Sequence, residues 1–184
     1  PIIIIIITTT TTTTTLFPPE ILHYLTKNGY HKPTPVQSQS IPVALNGKDM
    51  IVTSKTGSGK TLAYLLPSVI HILDQPHIQP NVDGPIVLIL APTRELAHQI
   101  HILSQKLLQP VHGKAISVTG GMGTYEMSKQ LKKGCEIVIS TPGRLVDMIR
   151  RKATNLHRVT LVILDEADKM LDMGFETSVQ SLLD

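Results

Sequence analysis

Between a short apolar segment at Asp49–Thr53 and a helix-patterned segment from Leu62 onward lie eight residues, Ser54-Lys55-Thr56-Gly57-Ser58-Gly59-Lys60-Thr61. No other stretch restricts this chain as tightly. Gly57 and Gly59 allow the backbone to curl until successive N–H groups converge on one anion. A helix starting at Lys60 adds its positive end. Lys60 can carry an ammonium to the β- and γ-phosphates, and Thr61 a hydroxyl to Mg²⁺. The pattern is that of the G-x-x-x-x-G-K-[ST] phosphate loop, with Ser54 in place of its first glycine. Such a loop binds a nucleoside triphosphate.

About a hundred residues later the chain reads Leu-Val-Ile-Leu-Asp-Glu-Ala-Asp, from Leu161 to Asp168. Four consecutive apolar residues fit an interior strand of a parallel sheet, which is buried on both faces. Asp165 and Glu166 then fall at its carboxyl end, where α/β sheets place ligands. Asp165 suits a water-mediated hold on Mg²⁺, an ion that dehydrates reluctantly. Glu166 suits orientation and deprotonation of an attacking water.

Strand and helix patterns alternate along the rest of the chain. Strands are predicted at Met50–Ser54, Ile86–Ala91, Ala115–Thr119, Ile137–Ser140 and Leu161–Leu164. Helices are predicted at Phe17–Asn28, Pro35–Ala44, Lys60–Leu73, Arg94–Leu107, Tyr125–Lys133, Arg144–Arg150 and Glu176–Leu183. This alternation predicts an α/β domain with a doubly wound, mainly parallel sheet. Asp74 to Pro85, rich in turn formers, reads as a surface loop. Residues 1–15, six isoleucines followed by eight threonines after Pro1, are set apart from residues 16–184. They are either a true low-complexity tract or stand-in letters for unidentified residues, and are excluded from fold reasoning.

Several further segments fall in the order of one known family. Gly29-Tyr30-His31-Lys32-Pro33-Thr34-Pro35-Val36-Gln37 resembles an adenine-reading Q motif, and Ser54–Thr61 resembles motif I. Pro92-Thr93-Arg94-Glu95-Leu96-Ala97 is similar to motif Ia, Gly120-Gly121 to the double-glycine motif and Thr141-Pro142-Gly143-Arg144 to motif Ib. Asp165-Glu166-Ala167-Asp168 spells motif II. From about Phe17 to its last residue the chain resembles the N-terminal RecA-like domain of DEAD-box RNA helicases, P-loop enzymes that use ATP and Mg²⁺. Two positions depart from the pattern: Ser54 replaces the usual alanine, and the isolated upstream aromatic falls on Thr12. The chain also stops at Asp184, before the Ser-Ala-Thr motif and the second RecA-like domain of the family, so the expectation is half a motor.

The resemblance implies that Gln37 pairs with adenine, as its bidentate amide could, while Tyr30 stacks on the base. It implies that Thr93, Arg94, Gly120, Gly121, Thr141 and Arg144 bind RNA, and that Asp168 links to the absent domain. On residue types alone such groups are more often helix caps and solvent-facing arginines, and it is their occurrence together in family order that favours RNA; Thr93 in particular is an N-cap candidate. The expected activity is ATP hydrolysis coupled to RNA binding and local unwinding. The alternative is an ATP-gated RNA clamp within an RNA–protein assembly. The setting expected is intracellular, nuclear or cytoplasmic, with room for protein cofactors.

Composition agrees with these expectations where it speaks. No apolar stretch approaches the roughly 20 residues of a membrane span, so no membrane partner is expected. Cys135 is the only cysteine, which excludes an internal disulfide, and it reads as a small packing residue. Aromatics are 3% with no tryptophan, which argues against a base-stacking platform and for RNA held by its backbone. The net charge of +3 is a mild bias toward polyanions. Among the eight histidines only His98 and His101 are spaced like a pair on one helix, and they read as surface groups rather than zinc ligands.

Overall fold

The computed structural model describes residues 2–7, 17–121 and 123–183. One six-stranded sheet runs through them: β1 (Ile2–Ile7), β2 (Met50–Thr53), β3 (Val87–Leu90), β4 (Ala115–Val118), β5 (Ile137–Ser140) and β6 (Leu161–Leu164). Its spatial order is β2-β1-β6-β3-β5-β4. Eight helices accompany it among the described residues: α1 (Pro19–Lys27), α2 (Pro35–Leu45), α3 (Lys60–Leu73), α4 (Arg94–Leu108), α5 (Thr124–Lys132), α6 (Pro142–Arg150), α7 (Ala167–Asp172) and α8 (Glu176–Leu183).

The predicted alternation of strand and helix is present, with most ends displaced by a residue or two. α7 was not foreseen; it follows β6 after a single turn at Asp165-Glu166. The larger difference is β1. The isoleucine run, set aside in the sequence reading, is an interior strand that pairs antiparallel with both β2 and β6. The physical reason is plain: β-branched side chains suit a strand buried on both faces. Thr8–Thr15, including Thr12 where an aromatic is expected, lie outside the described residues. β3, β4, β5 and β6 pair in parallel, so the sheet is mixed but mainly parallel.

Alternate residues of each strand enter one of two cores, as the two-residue period requires. On one face Ile3, Ile5, Ile89, Ile139 and Ile163 pack with Leu65 and Val69 of α3 and Ile100 and Leu107 of α4. On the other, Leu88, Leu90, Val138 and Leu164 pack with Met127 of α5, Leu145 and Met148 of α6 and Met170 of α7. Helices therefore cover both faces, the doubly wound arrangement. Cys135 is buried in the second core, and burial pushes its thiol well above the usual range. No helix among the described residues is long and apolar enough to cross a membrane.

Because β1 opposes both its neighbours, β2 runs in the same direction as β3 through β6. Five strand ends consequently open onto one rim. Ser54 follows β2, Pro92-Thr93 follow β3, Thr119-Gly120 follow β4, Thr141 follows β5 and Asp165 follows β6.

Candidate active site

The phosphate loop is built from inside. Gly57 (φ 76°) and Gly59 (φ 93°) occupy the left-handed region that lets the loop close on itself. Lys60, buried at the first turn of α3, donates from Nζ to the carbonyl oxygens of Ser54 at 2.7 Å and Lys55 at 2.8 Å. An ammonium has three protons, so one remains beyond these two bonds. The Ser54 and Ser58 hydroxyls stand 2.8 Å apart, so serine at the first glycine position closes the loop rather than opening it. Lys55 and Thr56 lie on its exposed crest.

Gln37 is tied directly to that loop. Its Oε1 accepts from the Thr34 backbone N–H at 2.9 Å, and Thr34 Oγ1 accepts from the Gln37 N–H, completing a capping box at the start of α2. Its Nε2 donates to the Gly59 carbonyl at 3.0 Å. A side chain at position 59 would meet that amide nitrogen at 2.6 Å, a second reason for glycine there. The amide retains one N–H and one lone pair. The Tyr30 backbone N–H donates to Leu25 O of α1 at 2.9 Å, and its ring is exposed.

Opposite the loop, Asp165 is buried and receives the Tyr64 hydroxyl proton on Oδ2 at 2.9 Å. Burial holds the Asp165 carboxyl above the usual carboxylate range; the Tyr64 hydrogen bond and the Lys60 charge oppose that shift, and neighbouring Glu166 adds to it. Tyr64, fully enclosed, is itself raised well above the ordinary phenol range by burial first and by Asp165 second. Glu166 adopts φ 53°, ψ 50°, a left-handed conformation that costs a residue with a Cβ about 1–2 kcal/mol. That strained turn aims consecutive carboxylates in different directions. The Glu166 carboxylate has Lys169 Nζ at 3.7 Å. Asp168, predicted to face another domain, accepts the Ile2 backbone N–H at 3.1 Å.

The remaining rim residues follow the ends of β3, β4 and β5, with specific partners. The Arg94 guanidinium lies so close over Gly120 that an added Cβ would fall 2.3 Å from it. Gly121 takes φ 110°. Thr93 Oγ1 accepts from Leu96 N at 3.3 Å and is an N-cap of α4. Thr141 stands at the N-cap of α6 without a side-chain capping bond. Arg144 is bound to Asp147 Oδ2 at 2.9 Å and to Thr124 Oγ1 at 3.3 Å, and its buried Nε has no partner.

Tyr64 is the site residue the sequence reading missed. A tyrosine inside an amphipathic helix, 101 residues from its partner, carries no local signal. Of the two histidines read as surface groups, His98 is exposed and His101 is half-buried. His98 and His101 have ring centroids 6.4 Å apart, but His101 is not a bare surface group: its Nε2 lies 3.1 Å from the Ala115 carbonyl oxygen on edge strand β4. Among the described residues no three His, Cys, Asp or Glu side chains gather to hold a metal ion.

This geometry has close relatives. Residues 34–184 match the family model described as DEAD/DEAH box helicase. The chain belongs to that family. Over 91% of its length it is 47% identical to DEAD-box ATP-dependent RNA helicase 24 of Oryza sativa subsp. japonica, of which it covers 22%. Over 90% it is 50% identical to ATP-dependent RNA helicase DDX42 of Xenopus laevis, covering 17% of that protein. The crystal structure of the RNA-helicase Prp28 from Chaetomium thermophilum bound to ADP superposes with a TM-score of 0.82 at 42% identity, covering 91% of this chain and 41% of that one. The yeast DEAD-box splicing factor Prp28 superposes equally well, at 36% identity. The sheet is therefore the RecA-like sheet of DEAD-box domains, and the chain spans about a fifth of the curated relatives it matches.

Proposed function

We propose that this DEAD-box domain binds ATP and serves an RNA helicase, hydrolysing ATP to gate its grip on RNA and separate short duplexes. The observation that carries the reading is Lys60, its ammonium poised by two loop carbonyls with one proton left over, at the end of the sheet that also bears Asp165 and Glu166. The loop amides and Lys60 bind the phosphates. Gln37 uses its free N–H and lone pair on the adenine edge, and Tyr30 covers the base. Thr61 and Asp165 are hard oxygen donors of the kind Mg²⁺ takes, and that ion supplies neutralisation of charge on the outer phosphates. Glu166 orients water against the γ-phosphorus and accepts its proton as the bond to the β-phosphate oxygen breaks. Thr93, Arg94, Thr141, Arg144 and the backbone at Gly120-Gly121 address RNA phosphate and sugar, which makes binding indifferent to base sequence. A cationic group that stabilises the transferring phosphoryl is worth about 10³–10⁵ in rate; we assign it to a second RecA-like lobe outside this chain.

An RNA clamp would use the same residues, so steady-state ATPase and duplex-release assays on the longer protein separate the two readings. For this chain alone the expected result is weak ATP binding and negligible RNA-stimulated turnover. Lys60→Ala should weaken nucleotide binding at least tenfold, since a charge-assisted contact contributes about 1.5–3 kcal/mol. Unchanged affinity by calorimetry would remove the phosphate-loop assignment. Robust RNA-stimulated turnover by this chain alone would overturn the two-lobe mechanism.

A further inference from the structure

We propose that single-stranded RNA leaving the rim continues along the outer face of α5, on a stripe formed by Tyr125, Ser128, Lys129 and Lys132 and extended by Lys133 and Lys114. The inference rests on the RNA reading of the rim. Positions 125, 128, 129 and 132 fall on one side of a helix of 3.6 residues per turn. They line one open cleft of about 590 Å³ that also takes in Lys114 and Lys133. No acidic side chain lines it. Among the described residues no carboxylate pairs with any of the four lysines. The nearby Glu136 carboxylate is taken by the Lys114 backbone N–H at 2.7 Å.

Continuity with the rim is structural. A second cleft, about 510 Å³, shares Tyr125 and Ser128 with the first and adds Thr124 and Arg151. Thr124 is the residue that receives Arg144 from the rim. From Thr124 to Lys132 the helix runs about 12 Å at 1.5 Å per residue, away from the strand ends and toward Lys114 and Lys133 at the opposite ends of β4 and β5. Tyr125 is 80% exposed beside the rim, a ring with a free face for a base. Unpaired lysines behind a stacking ring at the exit of a phosphate-binding rim fit a nucleic-acid strand better than an acidic protein segment, for which the stripe offers no apolar anchor besides that ring.

The test is binding of a fluorescent oligo-uridylate to the whole chain at a series of salt concentrations. Each phosphate neutralised contributes about 0.7 to the log–log salt slope for single strands. Lys129→Gln/Lys132→Gln should therefore flatten the slope by about 1.4. Tyr125→Ala should weaken binding roughly fivefold to hundredfold with the slope kept, as loss of a stacked base requires. Arg94→Ala on the rim reports on the underlying reading, and thermal melting by circular dichroism verifies that each variant is folded. Wild-type slope and affinity in the lysine variant, with Arg94→Ala weakened, overturn the stripe and leave the rim reading standing. Loss of binding in none of the three overturns both. If the lysine variant loses polyglutamate binding but keeps its RNA slope, the stripe is a protein-binding surface and the inference is wrong.

Discussion

The hydroxyl of Tyr64 and the carboxylate of Asp165, 101 residues apart in sequence, meet at 2.9 Å in the interior of the domain. This bond joins the helix that follows the phosphate loop to the strand that carries the acidic motif. It holds one oxygen of Asp165, so the orientation of the acid depends on a residue outside every motif.

Asp165 is held above the ordinary carboxylate range by burial, so the folded state binds its proton more tightly than the unfolded chain does. Stability tied to that proton is present at low pH and is lost as pH rises through the raised value. Asp165→Asn, neutral throughout and still able to accept from Tyr64, should melt higher than wild type at neutral pH. The gap should close as pH falls below the ordinary value of 3.8. Tyr64→Phe should instead lower stability by about 1–3 kcal/mol, the cost of leaving a buried acceptor unmet. Melting curves across pH check both; an Asp165→Asn variant less stable than wild type at neutral pH would contradict the argument.

Glu166 sits at φ 53°, where glycine is at ease. Glu166→Gly should therefore raise the melting temperature while removing the water-activating group. Glu166→Gln should leave stability and ATP affinity near wild type and cut turnover in the longer protein. Equal turnover in Glu166→Gln and wild type would take the proton-accepting role away from this residue.

Gln37 should make the site prefer adenine nucleotides, because guanine places an acceptor where adenine offers its amino group. A mispaired buried group costs roughly 1–3 kcal/mol. Gln37→Ala also loses a capping box, which costs about 1 kcal/mol, and its tie to Gly59. The variant should thus lose both base preference and some phosphate-loop order. Titration calorimetry with ADP and GDP is the measurement; equal affinities in wild type would remove Gln37 from base recognition.

His71, buried at the end of α3, stands 2.6 Å from the Thr160 hydroxyl. Burial holds its imidazole below the usual range, against the pull of Asp74. Here the unfolded chain takes up the proton more readily, so the stability contribution is present above pH 6.5 and is lost as pH falls through the lowered value. His101 shifts in the same sense, also by burial first, and shares the effect. His71→Gln should flatten the fall of melting temperature below pH 6.5 without abolishing it. An unaltered acid profile would assign that fall to other groups.

How much of this was legible beforehand follows from the range of each interaction. The helix from Lys60, the strand from Leu161 and the loop between Ser54 and Thr61 are written in local spacing, and local spacing is what a sequence displays. That Gln37 grips Gly59, that Arg94 covers Gly120 and that Tyr64 seats Asp165 depends on contacts across 22 to 101 positions. Those contacts depend on strand order, which no segment states on its own. The isoleucine strand was misjudged for another reason: a homopolymer shows neither alternation nor turn signals, so its interior position is visible only through its neighbours.

That same strand has a mechanical consequence. With β1 wedged between them, β2 and β6 share no backbone bond and lie two sheet spacings apart, about 9.6 Å. The lip bearing Lys60 and the lip bearing Asp165 are thus held apart by a spacer belonging to neither. From Ile2 to Ile7 the side chains are identical, so a shift of one residue would exchange the two faces without changing what each presents. Such a spacer sets the width of the gap firmly, like a shim whose stop is the bond from the Ile2 N–H to Asp168.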